Sequence, residues 1–262
     1  MKQTYSFAGA SIWPFIGRWY SLPLLLICWQ LAVVTGLVAS RLMPDLVAIW
    51  HAFATDILNG ALLRQAGITM GRALTGFALA LIVGVPLAAV MARSKLFARL
   101  LEPTFFAGYP VPKIALYPIF TFLFGLGTPS KIAFTFLECL YPIVVTTYLG
   151  ISAIPNVWIW AADNMGADRK KIFYRVLVPA ALPSIFSGIR IALPIAITIV
   201  VVTEIIGDSA GLGFYITNYS TRFRYDNVYA GILMIGICGF LFDRIVIWAR
   251  QRFVYWESEN RH

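Results

Sequence analysis

Residues 155–183 read PNVWIWAADNMGADRKKIFYRVLVPAALP. Between Val157 and Met165 the apolar residues Val157, Trp158, Ala161, Ala162 and Met165 recur at the three-and-four spacing of an amphipathic helix. Gly166 ends that stretch, because glycine takes a left-handed backbone without strain and lets a partner approach closely. Asp168 is placed to cap a second stretch, in which Ile172, Phe173 and Val176 form one side and Arg169, Lys170, Lys171 and Arg175 surround the rest. Pro179 and Pro183 are expected to stop the helix before the next apolar run. A helix–glycine–helix hairpin of this kind suits the docking of a soluble partner. Its basic residues equally suit an amphipathic helix resting on lipid headgroups.

Outward from the hairpin the chain becomes apolar in both directions. A hydrocarbon core of about 30 Å needs roughly 20 helical residues, and runs of that order occupy 19–39, 70–92, 110–126, 131–153, 182–206 and 228–249. The chain therefore reads as an all-α membrane protein of about six transmembrane helices. It forms a single domain over 1–262, with its longest inter-span loop at 155–181. Composition agrees: 60% of residues are hydrophobic and 13% charged, against about 45–50% and 25% in soluble domains, and the mean hydropathy is +0.77. The third run is interrupted by Pro110, Pro112 and Pro118, with Gly125 and Gly127 at its end. Broken backbone at membrane depth is tolerated only against neighbouring helices or a polar cavity, which puts this span inside the bundle. It is either a plain proline kink or a wall of the pathway. The first run is long and lacks a small-residue cleavage site, so it reads as a span rather than a signal peptide.

Positive charge gives the orientation. With six spans the termini share a side. On that side lie Lys2, Arg18, Arg93, Lys95, Arg99, Arg169, Lys170, Lys171, Arg175, Arg250, Arg252 and Arg261, twelve in all. The opposite side has five, Arg41, Arg64, Lys131, Arg222 and Arg224, with Arg72, Lys113, Arg190 and Arg244 near boundaries. Both termini and the hairpin are expected on the cytoplasmic face of the membrane. The net charge of +9 is thus topological. No basic face of a soluble nucleic-acid module is visible.

The hairpin resembles the cytoplasmic loop of the inner-membrane permeases of ABC importers, whose pattern is EAA, three residues, Gly, nine residues, then I-x-L-P. Here it falls on Trp160-Ala161-Ala162, Gly166, Val176, Val178 and Pro179, with Trp160 replacing the usual Glu. The stretches PVPKIALYPIFTFLFGLGTPSKI, YPIVVTTYLGI, TEIIGDSAGLGFYI and DNVYAGILMIGICGFLFDR resemble the branch that handles nitrate, sulfonates and taurine. The likeness covers a core of 69–256. It implies a type I importer fold and a coupling helix formed by Trp160, Ala161, Ala162, Gly166, Asp168, Arg169, Lys170 and Phe173. It also implies a second permease copy (a homodimer), two cytoplasmic ATP-binding subunits that hold ATP and Mg, and an extracytoplasmic solute-binding protein.

The chain carries no phosphate-binding loop of its own. Residues 125–131, GLGTPSK, have Ser130 where the second glycine must stand, and GLG at 211–213 lacks the third glycine of a dinucleotide site. Both read as turns, and the chain as a non-catalytic transport subunit. Cys28, Cys139 and Cys238 lie within apolar runs and read as small core residues, and His51 and His262 are too scattered for a metal site. An ionisable group inside a span is a functional hypothesis by default. Glu138 is the clearest, and with Tyr141, Pro112 and Tyr117 it makes the set of pathway candidates. It either lines the pathway or pairs with a neighbouring helix. Family members usually have a small residue there, so that branch's anion selectivity is not transferred to this position. Glu204 and Asp208, at the outer end of the fifth run, are candidates for gating or for fixing helix ends. Asp243 and Arg244 read as helix-end groups near the inner end of the sixth. The segment 207–225 is either a loop that meets the binding protein or a re-entrant packing segment. Trp13, Trp19, Tyr20, Trp248 and Trp256 fit interfacial belts. A stand-alone transporter or channel driven by an ion gradient, with Glu138 or Glu204 as proton site, is the alternative. No internal repeat of the kind common in such transporters stands out.

Overall fold

The computed structural model describes residues 20–39, 42–108 and 110–256, and every regular element among them is helical. In chain order these are α1 (Ser21–Val34), α2 (Leu46–Leu58), α3 (Ala61–Arg93), α4 (Lys95–Gly108), a 3-10 turn (Lys113–Leu116), α5 (Tyr117–Phe124) and α6 (Thr128–Ser152). The hairpin follows as α7 (Asn156–Asn164) and α8 (Arg169–Ile172), and a π turn (Phe173–Leu177) leads into α9 (Val178–Gly207), α10 (Leu212–Thr221) and α11 (Tyr225–Phe253).

Four of the described helices are long and apolar enough to cross a membrane: α3, α6, the continuous stretch Arg169–Gly207, and α11. The other two expected runs are shorter. Residues 19–39 contribute the 14 residues of α1, and residues 110–126 divide into the 3-10 turn and α5. Trp13, Trp19, Lys2, Arg18, Arg41, Arg261 and His262 lie outside the described residues. The stretch after residue 39 contains α2, a short apolar helix whose start is set by Asp45, which accepts the Val47 amide at 3.0 Å.

One expectation is corrected at α9. Pro179 and Pro183 do not stop the helix, which runs unbroken from Arg169 to Gly207. For Pro179 the π turn just before it provides the reason: the Val178 amide reaches back five residues to the Phe173 carbonyl, and the wider turn makes room for the ring, while Pro183 stands inside α9 itself.

The core forms where α6 packs along both α3 and α9. Within a membrane the hydrophobic effect does not drive helices together, so close approach through small residues must. Gly76 and Gly84 of α3 abut Thr135 and Ile143 of α6, and Gly188 of α9 abuts Thr146. Ala73, Ala80, Cys139, Ala192, Ala196 and Val200 are fully buried among them. Cys139 and Cys238 are core residues as expected, whereas Cys28 is exposed on the outward face of α1, beside Leu24, Leu25 and Ile27.

A Cβ at residue 76 would stand 2.7 Å from Thr135 Cβ and 2.9 Å from the Ile132 carbonyl oxygen, while one at Gly71 of the same helix meets nothing within 4 Å. Gly76→Val is therefore expected to destabilise the bundle by about 1–3 kcal/mol, and Gly71→Ala to be neutral or slightly stabilising. Thermal unfolding of the purified chain in detergent reads both.

Candidate coupling and pathway sites

Between α6 and α9 the hairpin folds on a small core of its own. Ile154, Ala162, Ile172 and Leu177 are buried there, with Ile159, Phe173 and Val176 packed against them. Helix α7 ends in a Schellman arrangement: the Gly166 amide donates to the Asp163 carbonyl at 2.9 Å and the Ala167 amide to the Ala162 carbonyl at 3.0 Å. This needs a left-handed residue, and Gly166 has φ +78°. Asp168 caps α8 by accepting the Lys171 amide at 2.9 Å. Of the eight residues expected to act in coupling, Ala162 and Phe173 face this inner core, whereas Trp160, Ala161, Gly166, Asp168, Arg169 and Lys170 are exposed. Trp158, Met165 and Tyr174 are exposed beside them.

The third run breaks where its prolines stand, and Lys113 sits in the break. Its ammonium lies 3.9 Å from the Glu138 carboxylate, 4.4 Å from the centre of the Tyr141 ring and 3.3 Å from the Val111 carbonyl oxygen. Glu138 thus pairs across to a neighbouring span, with both side chains mostly buried. Tyr117 packs its ring on Phe134, one turn of α6 before Glu138, and its buried hydroxyl has no hydrogen-bond partner among the described residues. Pro112 is exposed at the start of the 3-10 turn. Lys113, which the sequence places near a boundary, thus meets two of the four pathway candidates, Glu138 and Tyr141.

At the other end of α9 lies a buried ionic cluster. Arg72 of α3 donates to Glu204 at 2.9 Å, to Asp208 at 2.6 Å and to the Ala210 carbonyl at 3.0 Å, and its Nε donates to Thr128 at 3.1 Å. Lys131 of α6, with no exposed surface, adds an ion pair to Asp208 at 3.1 Å and donates to the Leu126 carbonyl at 2.7 Å. Glu204 also accepts from Thr69 at 2.8 Å and from the Gly213 amide at 3.0 Å. Thr69 in turn accepts the Leu212 amide at 2.7 Å. Gly211, at φ +108°, and Gly213 make this possible, since a Cβ on either would run into the Glu204 side chain. Within segment 207–225, α10 lies against α9 and α11.

The family model for the binding-protein-dependent transport system inner membrane component matches residues 80–255. The chain belongs to this family of ABC importer permeases. A probable ABC transporter permease of Brucella abortus is 31% identical over 88% of this chain and 91% of its own length. The taurine transport system permease of Escherichia coli is 27% identical over 91% and 89%. In fold, the permease matches a chain of the MetNI methionine ABC transporter, solved in inward-facing conformations, with a TM-score of 0.62 at 19% identity over 76% of this chain and 96% of that one.

Glu204 and Asp208, at the end of α9, are members of a four-charge network. Arg72 and Lys131 are its missed half: Lys131 is not a loop charge, nor Arg72 a boundary charge. The signal was available, because Arg72 lies within an apolar run and the rule applied to Glu138 covers cations too. Asp243 lies between Arg190, at 3.5 Å, and Arg244, at 3.9 Å, on the exposed rim of α9 and α11. Asp208 lies just beyond the last turn of α9. Burial alone would raise its pKa, but the Ser209 amide, Lys131 and Arg72 outweigh that and hold the carboxyl below the usual aspartate range. A depressed pKa contributes stability that is complete above the unfolded value of about 3.9 and is lost as the pH falls through the folded one.

The permease should accordingly show thermal stability insensitive to this group between about pH 5 and 8, falling only below about pH 4. Arg72→Met leaves two buried carboxylates facing one lysine and should cost about 3–5 kcal/mol. Adding Glu204→Gln should recover part of that loss, a coupling readable by a double-mutant cycle on unfolding temperatures.

Proposed function

We propose that this permease forms half of the pathway of an ATP-driven importer for a small polar solute of the nitrate, sulfonate or taurine class, delivered by an extracytoplasmic binding protein. Two copies pair as a homodimer, and two cytoplasmic subunits bind ATP and Mg²⁺ and hydrolyse the nucleotide. The chain itself is non-catalytic. The observation that carries this reading is the hairpin: it is stabilised by its own core, and so leaves Trp160, Ala161, Gly166, Asp168, Arg169 and Lys170 free for a partner. It serves as the coupling helix, with Ala162 and Phe173 holding its shape. The name of the taurine relative supports the solute class.

Both termini and the hairpin lie in the cytoplasm. The burial of Lys131 removes one cation from the outer loops and so sharpens the charge asymmetry on which that orientation rests. Glu138, Tyr141, Pro112 and Tyr117 border the pathway around Lys113, and a solute carrying opposite charges or several hydrogen-bonding groups matches their paired chemistry. Glu204 and Asp208 anchor the outer end of the pathway against opening at random. An ion-driven transporter is not favoured, because both acids proposed as its proton site are committed to basic partners.

Gly166→Arg should abolish ATP-dependent uptake in proteoliposomes holding the permease, its ATPase subunits and the binding protein, while membrane insertion stays normal. A Cβ at residue 166 meets nothing, so Gly166→Ala adds only backbone strain of about 1–2 kcal/mol and should retain most uptake. Uptake by this chain alone, driven by a proton gradient, would overturn the reading.

A further inference from the structure

At the end of the bundle remote from the hairpin, α2, α10 and the start of α11 enclose an open pocket of about 510 Å³ lined by residues that include His51, Thr55, Asp56, Arg224, Asp226 and Asn227. None of these takes part in the ionic cluster or in the Glu138 site. Asp56 is 6% exposed. It accepts hydrogen bonds from the Tyr215 hydroxyl, from Asn227 Nδ2 at 2.8 Å and from Asn59 Nδ2 at 3.0 Å. All three donors are neutral, and among the described residues no cation pairs with it. Asn227 is 3% exposed and its Oδ1 has no hydrogen-bond partner among the described residues. The orientation of this amide is set by chemistry, since a carboxylate only accepts and the NH₂ must face Asp56. A buried acceptor without a donor is costly, and so is a buried carboxylate without a countercharge. Asp56 and Asn227 both line one pocket, and Asp226 lines it with them.

One ligand group answers both needs: a primary ammonium, which donates to Asn227 Oδ1 and supplies positive charge to Asp56 and Asp226. At the rim, Arg224 is held only loosely, 3.8 Å from Asp226, and more than half of its side chain is exposed, leaving it available to an oxyanion. The pocket wall on α2 adjoins a stripe of Val47, Trp50 and Leu58, exposed by 72%, 63% and 88%, which in a membrane protein faces acyl chains. We infer that this pocket binds the headgroup of an ethanolamine phospholipid, with the ammonium on Asp56, Asp226 and Asn227, the phosphate on Arg224, and the tails along Val47, Trp50 and Leu58.

The test uses the full chain, reconstituted in nanodiscs of phosphatidylglycerol with either phosphatidylethanolamine or phosphatidylcholine, and counts retained lipid by native mass spectrometry. Choline carries the same charge but no N–H, so ethanolamine lipid should be retained roughly tenfold more strongly, the worth of one charge-assisted hydrogen bond. Asp56→Asn should abolish the preference. The part-exposed variant Asp226→Asn, which should not disturb folding, should reduce it severalfold. Equal retention of the two lipids, or a preference undiminished in Asp226→Asn, would overturn the proposal. A third arm adds soluble glycerophosphoethanolamine to the detergent-purified chain. If it raises the unfolding temperature as much as the lipid does, the ligand is a free zwitterion and the lipid assignment fails.

Discussion

Four buried charges tie the long helices together near one end of the bundle. Arg72, Lys131, Glu204 and Asp208 come from α3, α6, and α9 with the turn that follows it, and no one of them is tolerable in a low-dielectric interior without the others. The network is neutral as a whole and its carboxylates are further satisfied by Thr69 and by backbone amides. Such an arrangement contributes little net stability compared with apolar packing, but it admits only one register of the three helices. The small-residue contacts at Gly76, Gly84 and Gly188 allow close approach, and closely packed helices could still slide by a turn. The ion network removes that freedom.

The same constraint explains the local sequence around residue 211. A left-handed backbone and the lack of a side chain are both required there, because the Glu204 carboxylate occupies the space that a Cβ would fill. What looked like a fragment of a nucleotide-binding glycine motif is a socket for a buried acid. Chemistry and packing account for that glycine pair without any ligand.

Much of this was legible in the sequence. Four of the six apolar runs correspond to full spans, and the hairpin's elements, from the Gly166 terminus to the Asp168 cap, follow from local rules that act over a few residues. The losses share a cause. The partners of Glu204 and Asp208 lie more than a hundred residues away in α3 and nearly eighty away in α6, and local patterning holds no information about which distant cation will meet which acid. Lys113 was missed as the partner of Glu138 for the same reason. The helix α2 was missed because its 13 residues are too few for a span. Pro179 misled because a π turn, invisible to composition, accommodates it, and Pro183 is carried within the helix itself.

That π turn has a mechanical consequence. Because the helix is not severed at its prolines, the hairpin and the ionic cluster sit near opposite ends of one rod of 39 residues, about 58 Å long at 1.5 Å per residue. A rod of that length acts as a lever arm. Tilting it by about 5° about one end displaces the other by about 5 Å, which is as large as the separations that hold the buried charges together. The exposed face of the hairpin and the Glu204–Arg72 pair are thus tied to the two ends of one continuous helix.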